Sequence, residues 1–361
     1  MRIGHFIPDP AGVGGLERYV SRLVDAQSSA GHEVCLLAGV QGLAGAAIQG
    51  VQVLHAHGLL PQGVTQVPLV RHVHGHWPYC PSGSRFLGLR DSACNRAYSP
   101  VGCLWGHVFD RCGSVRPREM TGNFRRVREE RRMLSRVRAI AVSQFVRTQM
   151  VRSGYPDSQI DVVLLPAPAS QPAPPAEGTP RFVFVGRLVR HKGCHWMLHA
   201  VAQAGVRCEI DIAGDGPERP RLERLACRLG LGGCTCFHGW VGENEVLRLM
   251  HASRAVIFPS LWPEPAGLVT LESAAAGRAA IVSRIGGIPE YAEACGHAVC
   301  VEPGDVLALA QAIRHLSHQP EHAAKLGQTG AEAAQQRFSM QNHLLELEAC
   351  YRRTLNEGTC A

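Results

Sequence analysis

The sequence predicts an α/β protein made of two doubly wound domains, each a parallel sheet with helices on both faces. Apolar runs alternate with segments of helical period in both halves of the chain, which is typical of parallel sheets. The length of 361 residues is enough for two cores. Residues 166–180 are rich in proline and carry Glu177 as their single charge, which indicates a linker between the halves.

These observations divide the chain into four parts. We expect a first domain at 1–165, the linker at 166–180, a second domain at 181–340 and a helical tail at 341–361. No apolar segment approaches the length of a membrane span or of a secretion signal, so a cytoplasmic protein is expected. The 14 cysteines are scattered and are expected to be reduced.

The net charge of +7 is mild, and much of it lies in an arginine-rich segment at 125–138. A few apolar residues fall among the arginines, which predicts a basic helix with a modest apolar stripe. Such a helix suits peripheral contact with anionic lipid on the inner face of a membrane, and a merely solvated helix is the alternative. Nucleic acid is not expected as a partner, because no stacking aromatic residues are interleaved with the arginines.

The first domain opens with a strand at 2–8, a glycine loop and a helix from Leu16. Gly14 and Gly15 let the backbone approach a phosphate or a sugar at the start of this helix. Further strands are expected at 31–38, 51–58 and 67–77.

The strand at 67–77 ends in several histidines. Ligand loops of parallel sheets lie at the carboxyl ends of the strands, so His74 is a candidate site residue. His72 and His76 stand close enough in sequence to be confused with it.

Four cysteines follow, namely Cys80, Cys94, Cys103 and Cys112. They could hold a structural zinc ion, but they include no Cys-x-x-Cys pair and their spacing is wider than in common zinc motifs. A conditional disulfide or free thiols in a loop remain as alternatives. We therefore expect no metal in the active site, and only a weakly indicated structural site here.

The second domain begins with a buried strand at 181–187 that ends in Gly-Arg. Arg187 and Lys192 lie on the loop that follows and form a cationic pair suited to a diphosphate. Later in this half, strand and turn segments occur at 209–217 and 236–241, and the second of these contains His238.

The stretch from Pro259 to Gly277 places two carboxylates around a strand-to-helix junction. An apolar strand precedes it, and Leu268–Ala276 is expected to be a helix. Glu264 lies on the loop and Glu272 lies within the helix. The unpaired backbone N–H groups at Gly267, Leu268 and Val269 suit a phosphate.

The string PSLWPEPAGLVTLESAAAG contains a glutamate, seven residues and a second glutamate. It resembles the acidic signature of retaining glycosyltransferases of family 4, which have the GT-B fold. The glycine loop, the Gly-Arg and Lys-Gly pair and the later glycine turns resemble landmarks of the same family, in the same order. The resemblance implies two Rossmann-like domains facing a cleft, with the last helix crossing back to the first domain.

The resemblance also implies the chemistry, which is transfer of a sugar from a nucleotide-diphosphate sugar to an acceptor hydroxyl with retention of configuration. Arg187 and Lys192 would bind the pyrophosphate, Glu264 the sugar hydroxyls and Glu272 the ribose. Gly14 and Gly15 would face the donor, His74 would reach the transferred sugar, and the backbone near His238 would contact the nucleobase. These eight residues, with Gly267, Leu268 and Val269, form the expected site. The family's usual aspartate after the histidine is absent here, since Gly75 follows His74.

No Asp-x-Asp pattern stands out, so we expect the nucleotide sugar as a co-substrate and no required metal or other cofactor. The acceptor is expected to be a glycan, a lipid-linked saccharide or a small molecule, in the synthesis of a polysaccharide, glycolipid or other glycoconjugate. The cysteine segment resembles an insertion seen in some family members. A GT-B epimerase or phosphorylase, a non-catalytic scaffold that binds sugar nucleotides, and a basic nucleic-acid-binding protein remain as alternatives.

Overall fold

The computed structural model of the chain describes residues 1–8, 14–39, 50–60 and 67–358. These residues form two compact units. The first unit consists of Met1–Leu89, Cys94–Leu165 and Met340–Ala361, and the second consists of Arg90–Ala93 and Pro166–Ser339.

Strands and helices alternate through both units. The strands are β1 (Arg2–Ile7), β2 (Glu33–Ala38), β3 (Val53–Ala56), β4 (Leu69–Val73), β5 (Phe86–Leu87), β6 (Ser92–Ala93), β7 (Arg138–Ala141), β8 (Ile160–Val162), β9 (Arg181–Val185), β10 (Glu209–Ala213), β11 (Thr235–Gly239), β12 (Ala255–Phe258), β13 (Ala279–Ser283) and β14 (Ala298–Val301). The helices are α1 (Gly15–Ser29), α2 (Pro100–Phe109), α3 (Pro117–Leu134), α4 (Gln144–Arg152), α5 (Cys194–Ala204), α6 (Arg219–Arg228), α7 (Glu243–Ala252), α8 (Leu268–Ala275), α9 (Ile288–Cys295), α10 (Val306–His318), α11 (Pro320–Gln336) and α12 (Met340–Gly358).

The sheet of the first unit has the strand order β2-β1-β3-β4-β7-β8, and all its pairings are parallel. Central strands such as β3 and β4 are buried along their whole length, as expected where helices cover both faces of a parallel sheet. The strand order reverses between β1 and β3, so the loops after these strands border a crevice at their carboxyl ends.

The sheet of the second unit has the order β11-β10-β9-β12-β13-β14, again fully parallel. This is the arrangement of a doubly wound dinucleotide-type sheet, with its reversal between β9 and β12. The loops that follow β9 and β12 carry Arg187, Lys192 and Glu264, so the topology places all three at the usual ligand edge.

Two predicted boundaries were wrong. The basic helix was expected at 125–138, but α3 begins at Pro117 and ends at Leu134, and Arg138 opens β7. The buried face of α3 includes Glu130, which accepts a hydrogen bond from Arg71 at 3.0 Å. The helix therefore has a charged residue on its buried face as well. The strand expected at 67–77 is shorter, because β4 ends at Val73.

A serine side chain caps the start of α4. The Ser143 side chain accepts a hydrogen bond from the Val146 N–H at 3.2 Å and starts α4, as expected for an N-cap serine. Among the helices that the structure describes, none has the length and low polarity needed to cross a bilayer.

Candidate functional site

The loops after β9 and β12 pack directly against each other. Gly193 has a φ of +76°, and a Cβ there would lie 1.8 Å from the carbonyl oxygen of Pro259. The Leu261 N–H donates to the carbonyl oxygen of His191 at 2.9 Å. Only glycine fits at position 193, because both its backbone conformation and the close approach exclude a side chain. This close approach places the end of the loop after β9 against the start of the loop after β12.

Lys192 and Glu264 form an ion pair across these two loops. Lys192 Nζ lies 2.6 Å from Glu264 Oε1, with 15% and 9% of the two side chains exposed. The Ser260 hydroxyl donates to the same carboxylate oxygen at 3.0 Å, and Lys192 Nζ lies 4.9 Å from the centre of the Trp262 ring. Glu264 is therefore a buried, paired carboxylate rather than a solvated loop residue.

The glycine turn after β13 supports the backbone of Glu264. Gly286 has a φ of +64°, and a Cβ there would lie 2.4 Å from the Glu264 carbonyl oxygen. The Gly287 N–H donates to that oxygen at 2.7 Å. The sequence indicated the turn but not this contact, although a pair of glycines two residues after a strand could have suggested a close approach of the backbone.

Positive charge is concentrated beside this ion pair. Burial, and then the charges of Lys192 and Arg187, lower the pKa of His191 to about 4. The Arg187 side chain is exposed, and Lys192 is half-buried. His191 therefore stays neutral, and the positive charge of this loop comes from the exposed Arg187 and from Lys192, which is paired with Glu264.

Helix α8 begins next to Glu264, with Gly267 as its N-cap and no side-chain hydrogen bond at that end. The first N–H groups of a helix have no partner within the helix, and its dipole favours an anion there. Leu268 is partly exposed, Val269 and Glu272 are half-buried, and Glu272 follows one turn later. The junction thus combines helix N–H groups, two cations and two carboxylates.

His238 has a different setting. It lies on β11, and its Nε2 is 2.6 Å from Asp211 Oδ1. Asp211 also accepts a hydrogen bond from Arg181 at 2.9 Å. The His238 side chain is therefore part of a group of hydrogen-bonded polar side chains on the sheet.

The first unit holds a chain of hydrogen-bonded histidines that ends at His74. His5 Nε2 lies 2.7 Å from Gln27 Oε1, His5 Nδ1 lies 3.0 Å from His57 Nε2, and His57 Nδ1 lies 2.9 Å from His74 Nε2. His74 is half-buried at the end of β4, whereas His72 and His76 are fully buried. Among the three neighbouring histidines, His74 is the one with ligand access.

Burial keeps these rings neutral. Burial, and next the charge of Arg71, lowers the pKa of His74 to about 3. Burial also lowers the pKa of His5 to about 4 and that of His57 well below its ordinary value. The sequence interpretation missed this cluster, although the pattern His-x-His at 55–57 and 72–74 places two histidines on one face of each chain segment.

Helix α1 begins beside this cluster. Gly14 is its N-cap and Gly15 its first residue, with no side-chain hydrogen bond at this end. The ring of Tyr19, on the second turn of α1, lies 5.3 Å from the His74 ring. Gly14, Gly15 and His74 thus belong to the first unit, and the other predicted site residues belong to the second.

Comparison with protein families gives a match at residues 168–333, to the family described as glycosyl transferases group 1. Among curated proteins, the chain is similar to glycogen synthase of Mycobacterium tuberculosis, with 34% identity over 46% of this chain and 39% of the relative. It is also similar to the lipopolysaccharide core biosynthesis glycosyltransferase LpsD of Rhizobium meliloti, with 34% identity over 47% of this chain and 51% of the relative. The chain thus spans about half the length of these relatives or less.

Solved structures match over nearly the whole chain. Sucrose-phosphate synthase from Thermosynechococcus elongatus superposes with a TM-score of 0.74 and 22% identity, covering 99% of both chains. HepE from Anabaena, in complex with UDP, gives a TM-score of 0.70 and 17% identity, covering 97% of this chain and 99% of the other. At this identity the likeness concerns the fold.

The two doubly wound units and the likeness to sucrose-phosphate synthase show that the chain has the GT-B fold. Residues 168–333, which carry the Lys192–Glu264 pair, match the model of the glycosyl transferases group 1 family.

Proposed function

We propose that this protein is a retaining glycosyltransferase that moves a sugar from a nucleotide-diphosphate sugar to an acceptor hydroxyl. The observation that carries the proposal is the buried Lys192–Glu264 pair at the carboxyl ends of β9 and β12, beside the uncapped start of α8. A doubly wound sheet binds nucleotides at this place. The family of residues 168–333 supports the same activity.

The donor diphosphate would lie against Arg187, Lys192 and the N–H groups at Gly267, Leu268 and Val269. These groups offset the charge that develops on the departing nucleotide, which is the part a divalent ion plays in other transferases. We therefore propose that transfer needs no divalent ion at the donor. Glu272 would hold the ribose hydroxyls, and the backbone near His238 would contact the base.

The transferred sugar would contact Glu264 through its hydroxyls. Lys192 and Ser260 hold this carboxylate in place, so it is oriented before the donor arrives. No protein base is assigned, because the leaving phosphate can take the acceptor proton on the same face of the sugar. His74, kept neutral by burial, would reach the sugar from the first unit, near the backbone of Gly14 and Gly15.

The acceptor we propose is a lipid-linked saccharide. One relative, LpsD, is named for lipopolysaccharide core biosynthesis, and a structural neighbour with a TM-score of 0.65, WaaG, is named as a glycosyltransferase of lipopolysaccharide biosynthesis. A glycan or a small-molecule acceptor would use the same donor site.

The surface of the first unit supports peripheral contact with an anionic membrane. Helix α2 exposes an apolar face at helical spacing, made of Val101, Leu104, Trp105, Val108 and Phe109. Helix α3 contacts α2, since the rings of Phe124 and His107 lie 5.5 Å apart. It exposes arginines at 125, 128 and 132, which are spaced to share one face. Apolar and basic faces on adjoining helices suit a bilayer surface with negative headgroups.

The test is binding of a panel of nucleoside diphosphates and their sugars, measured by thermal shift and calorimetry, beginning with UDP and UDP-glucose. Wild type is compared with Lys192→Ala and Glu272→Ala. Lys325→Ala is the matched control, because Lys325 is the only other lysine of the chain and is exposed on α11. We expect one nucleotide to stabilise wild type and the control, and neither site variant.

The product identifies the reaction. Incubation of the selected donor with candidate acceptors, followed by NMR of the anomeric proton, distinguishes retention from inversion, and omission of Mg²⁺ tests metal independence. A free epimer or dependence on phosphate would favour the epimerase or phosphorylase alternative. Binding without transfer would favour a scaffold, and absence of binding by any nucleotide would overturn the proposal.

A further inference from the structure

Four cysteines of the first unit line one small cavity. Cys80, Cys94, Cys103 and Cys112 all border it, although they come from separate points along the segment 80–112 and Cys103 lies on α2. The cavity has a volume of about 20 Å³, close to the roughly 10–15 Å³ that a single water molecule needs. The space therefore suits one ion rather than a larger ligand.

These four residues are free thiols, not disulfides. Cys80 is buried and the other three are half-buried. The thiolate is the form of cysteine that binds metal ions, and a bound metal ion supplies the positive charge that lets neighbouring thiols ionise together.

The surroundings of the cavity suit a negatively charged thiolate centre. Arg85 and Arg96 line the same cavity. Arg96 is paired with Asp110 at 2.6 Å, so Arg85 is the residue whose charge would offset part of the negative charge that four thiolates leave around a divalent ion. His107 Nδ1 donates to the carbonyl oxygen of Cys103 at 2.8 Å and lies 3.7 Å from Cys112 Sγ. Such N–H groups around a metal site hold its ligands in orientation.

The backbone of the segment 80–112, from which Arg85 lines the cavity, is constrained. Arg85, Asp91 and Arg111 have φ values of +51°, +46° and +49°, and they are the non-glycine residues with positive φ in the part of the chain that the structure describes. All three lie in the segment 80–112. Such conformations persist only where the surrounding structure imposes them, and this segment has only two-residue strands and one short helix to do so.

We propose that Cys80, Cys94, Cys103 and Cys112 bind one zinc ion, which fixes α2 against the loops around it. Tetrahedral zinc with cysteine ligands has Zn–S distances of about 2.3 Å. The close sets of three ligand atoms in the described residues, within 4.8 Å of one another, do not include these sulfurs. Zinc binding must therefore draw the four sulfurs inward by side-chain rotation.

Two alternative metal sites in the same unit are histidine sets, namely His5, His55 and His57, and His57, His72 and His74. Their ring nitrogens are hydrogen-bonded to one another, for example His55 Nε2 to His72 Nδ1 at 3.1 Å. Most of these nitrogens already have partners, although His72 Nε2 is buried without one. A third set, Asp211, Cys236 and His238, lies in the second unit, where Asp211 is already bonded to Arg181 and His238. Four cysteines are a ligand set typical of structural zinc, so the sulfur cavity is the better site for zinc.

The test is elemental analysis of the full-length protein, purified without chelator from zinc-supplemented cells. We expect about one zinc per chain in wild type and in Cys227→Ser, an exposed cysteine of the second unit. Zinc occupancy should fall by roughly tenfold or more in Cys103→Ser and in Cys112→Ser, since loss of even an outer-shell contact lowers metal affinity about 10–100-fold. If these variants fail to fold, X-ray absorption at the zinc edge of wild type should show four sulfur neighbours.

Three results would overturn the proposal. One is the absence of stoichiometric metal from wild type, or the presence of disulfides among these cysteines. Another is zinc that remains in Cys103→Ser and Cys112→Ser but is lost in His57→Gln. The histidine set would then be the site. The third is iron with acid-labile sulfide, which would replace the single zinc ion by an iron–sulfur cluster.

Discussion

Lys192 Nζ and Glu264 Oε1 lie 2.6 Å apart across two loops of the second unit, with little of either side chain exposed. Removing one partner of a buried pair leaves the other charge unpaired, which costs about 3–5 kcal/mol. We expect Lys192→Met to lower the free energy of unfolding by about 3 kcal/mol, at the low end because Ser260 still donates to the carboxylate. Urea unfolding measures this loss.

Lys325→Met is the matched control and should change the free energy of unfolding by less than about 0.5 kcal/mol, as exposed substitutions usually do. Glu264→Leu in the Lys192→Met background should recover part of the lost stability, because no unpaired charge then remains. Equal destabilisation by the two lysine substitutions would contradict a buried pair. Nucleotide binding should be lost in Lys192→Met even at temperatures where the variant is fully folded.

The sequence was enough to predict the two sheets, because buried parallel strands are continuous apolar runs and the helices between them keep a regular period. The glycine loops and the carboxylates of the second unit were also visible as motifs. Contacts between loops that are far apart in the sequence could not be predicted. The pairing of Lys192 with Glu264 depends on the close approach at Gly193 and Pro259, which no local pattern encodes.

The same limit explains the misplaced end of the basic helix. Arginines continue from 125 to 138 without a break in composition, but Arg138 pairs with Asp161 of β8 at 3.0 Å and joins the sheet. Tertiary pairing therefore decided the boundary, and local propensity did not. The convergence of four widely spaced cysteines on one cavity is likewise a property of the fold.

Arg278 anchors the linker to the second unit. Its buried guanidinium donates five hydrogen bonds to backbone carbonyls, including those of Ala173 at 3.0 Å and Pro174 at 2.7 Å. In Arg278→Met these carbonyls lose a charged donor, and each one left unsatisfied costs about 1–3 kcal/mol. We expect about 3 kcal/mol of destabilisation, with faster hydrogen exchange at the Ala173 amide.

Arg284→Met is the control for Arg278, since that side chain is 49% exposed and its loss should leave exchange in the linker unchanged. If the Ala173 amide exchanged at the wild-type rate in Arg278→Met, the linker would be held by its packing alone. The most direct such packing is the contact of Pro172 with Gly277.

The buried histidines make the first unit sensitive to acid. Burial lowers the pKa values of His5 and His343 from 6.5 to about 4 and that of His74 to about 3. In the unfolded chain these groups take up protons near pH 6.5, so the unfolded state binds more protons at lower pH. Stability is complete above that pH and falls as the pH drops towards 4, by about 1.4 kcal/mol per pH unit for each group.

Urea unfolding at a series of pH values from about 8 to 5 checks this expectation, with hydrogen exchange of β1, β3 and β4 reporting on the first unit. Below pH 6.5, His5→Gln should make the free energy of unfolding depend less steeply on pH, by about 1.4 kcal/mol per pH unit, which is the contribution of one group. The explanation would fail if stability stayed constant between about pH 7 and pH 5. It would also fail if the exchange of β9 and β12 responded to acid before that of β1.

The exposed face of α2 gives the last prediction, which concerns membrane contact. Trp105 and Phe109 are 57% and 54% exposed, and their ring centres lie 4.0 Å apart. If this face enters the headgroup region, Trp105→Ser with Phe109→Ser should weaken binding to phosphatidylglycerol vesicles by removing two aromatic anchors. Vesicle co-sedimentation measures the loss.

The basic face of α3 should act separately from the apolar face. Arg128→Ser and Arg132→Ser remove two exposed charges, each contributing about 1 kcal/mol near an anionic surface, so together they should weaken vesicle binding by roughly thirtyfold. This loss should shrink as salt rises, because screening weakens exposed charges, whereas the loss in the aromatic variant should persist. Equal binding of wild type to neutral phosphatidylcholine vesicles would show that the arginines take no part. Failure of wild type to bind either kind of vesicle would contradict the proposed contact between the apolar face of α2 and a membrane.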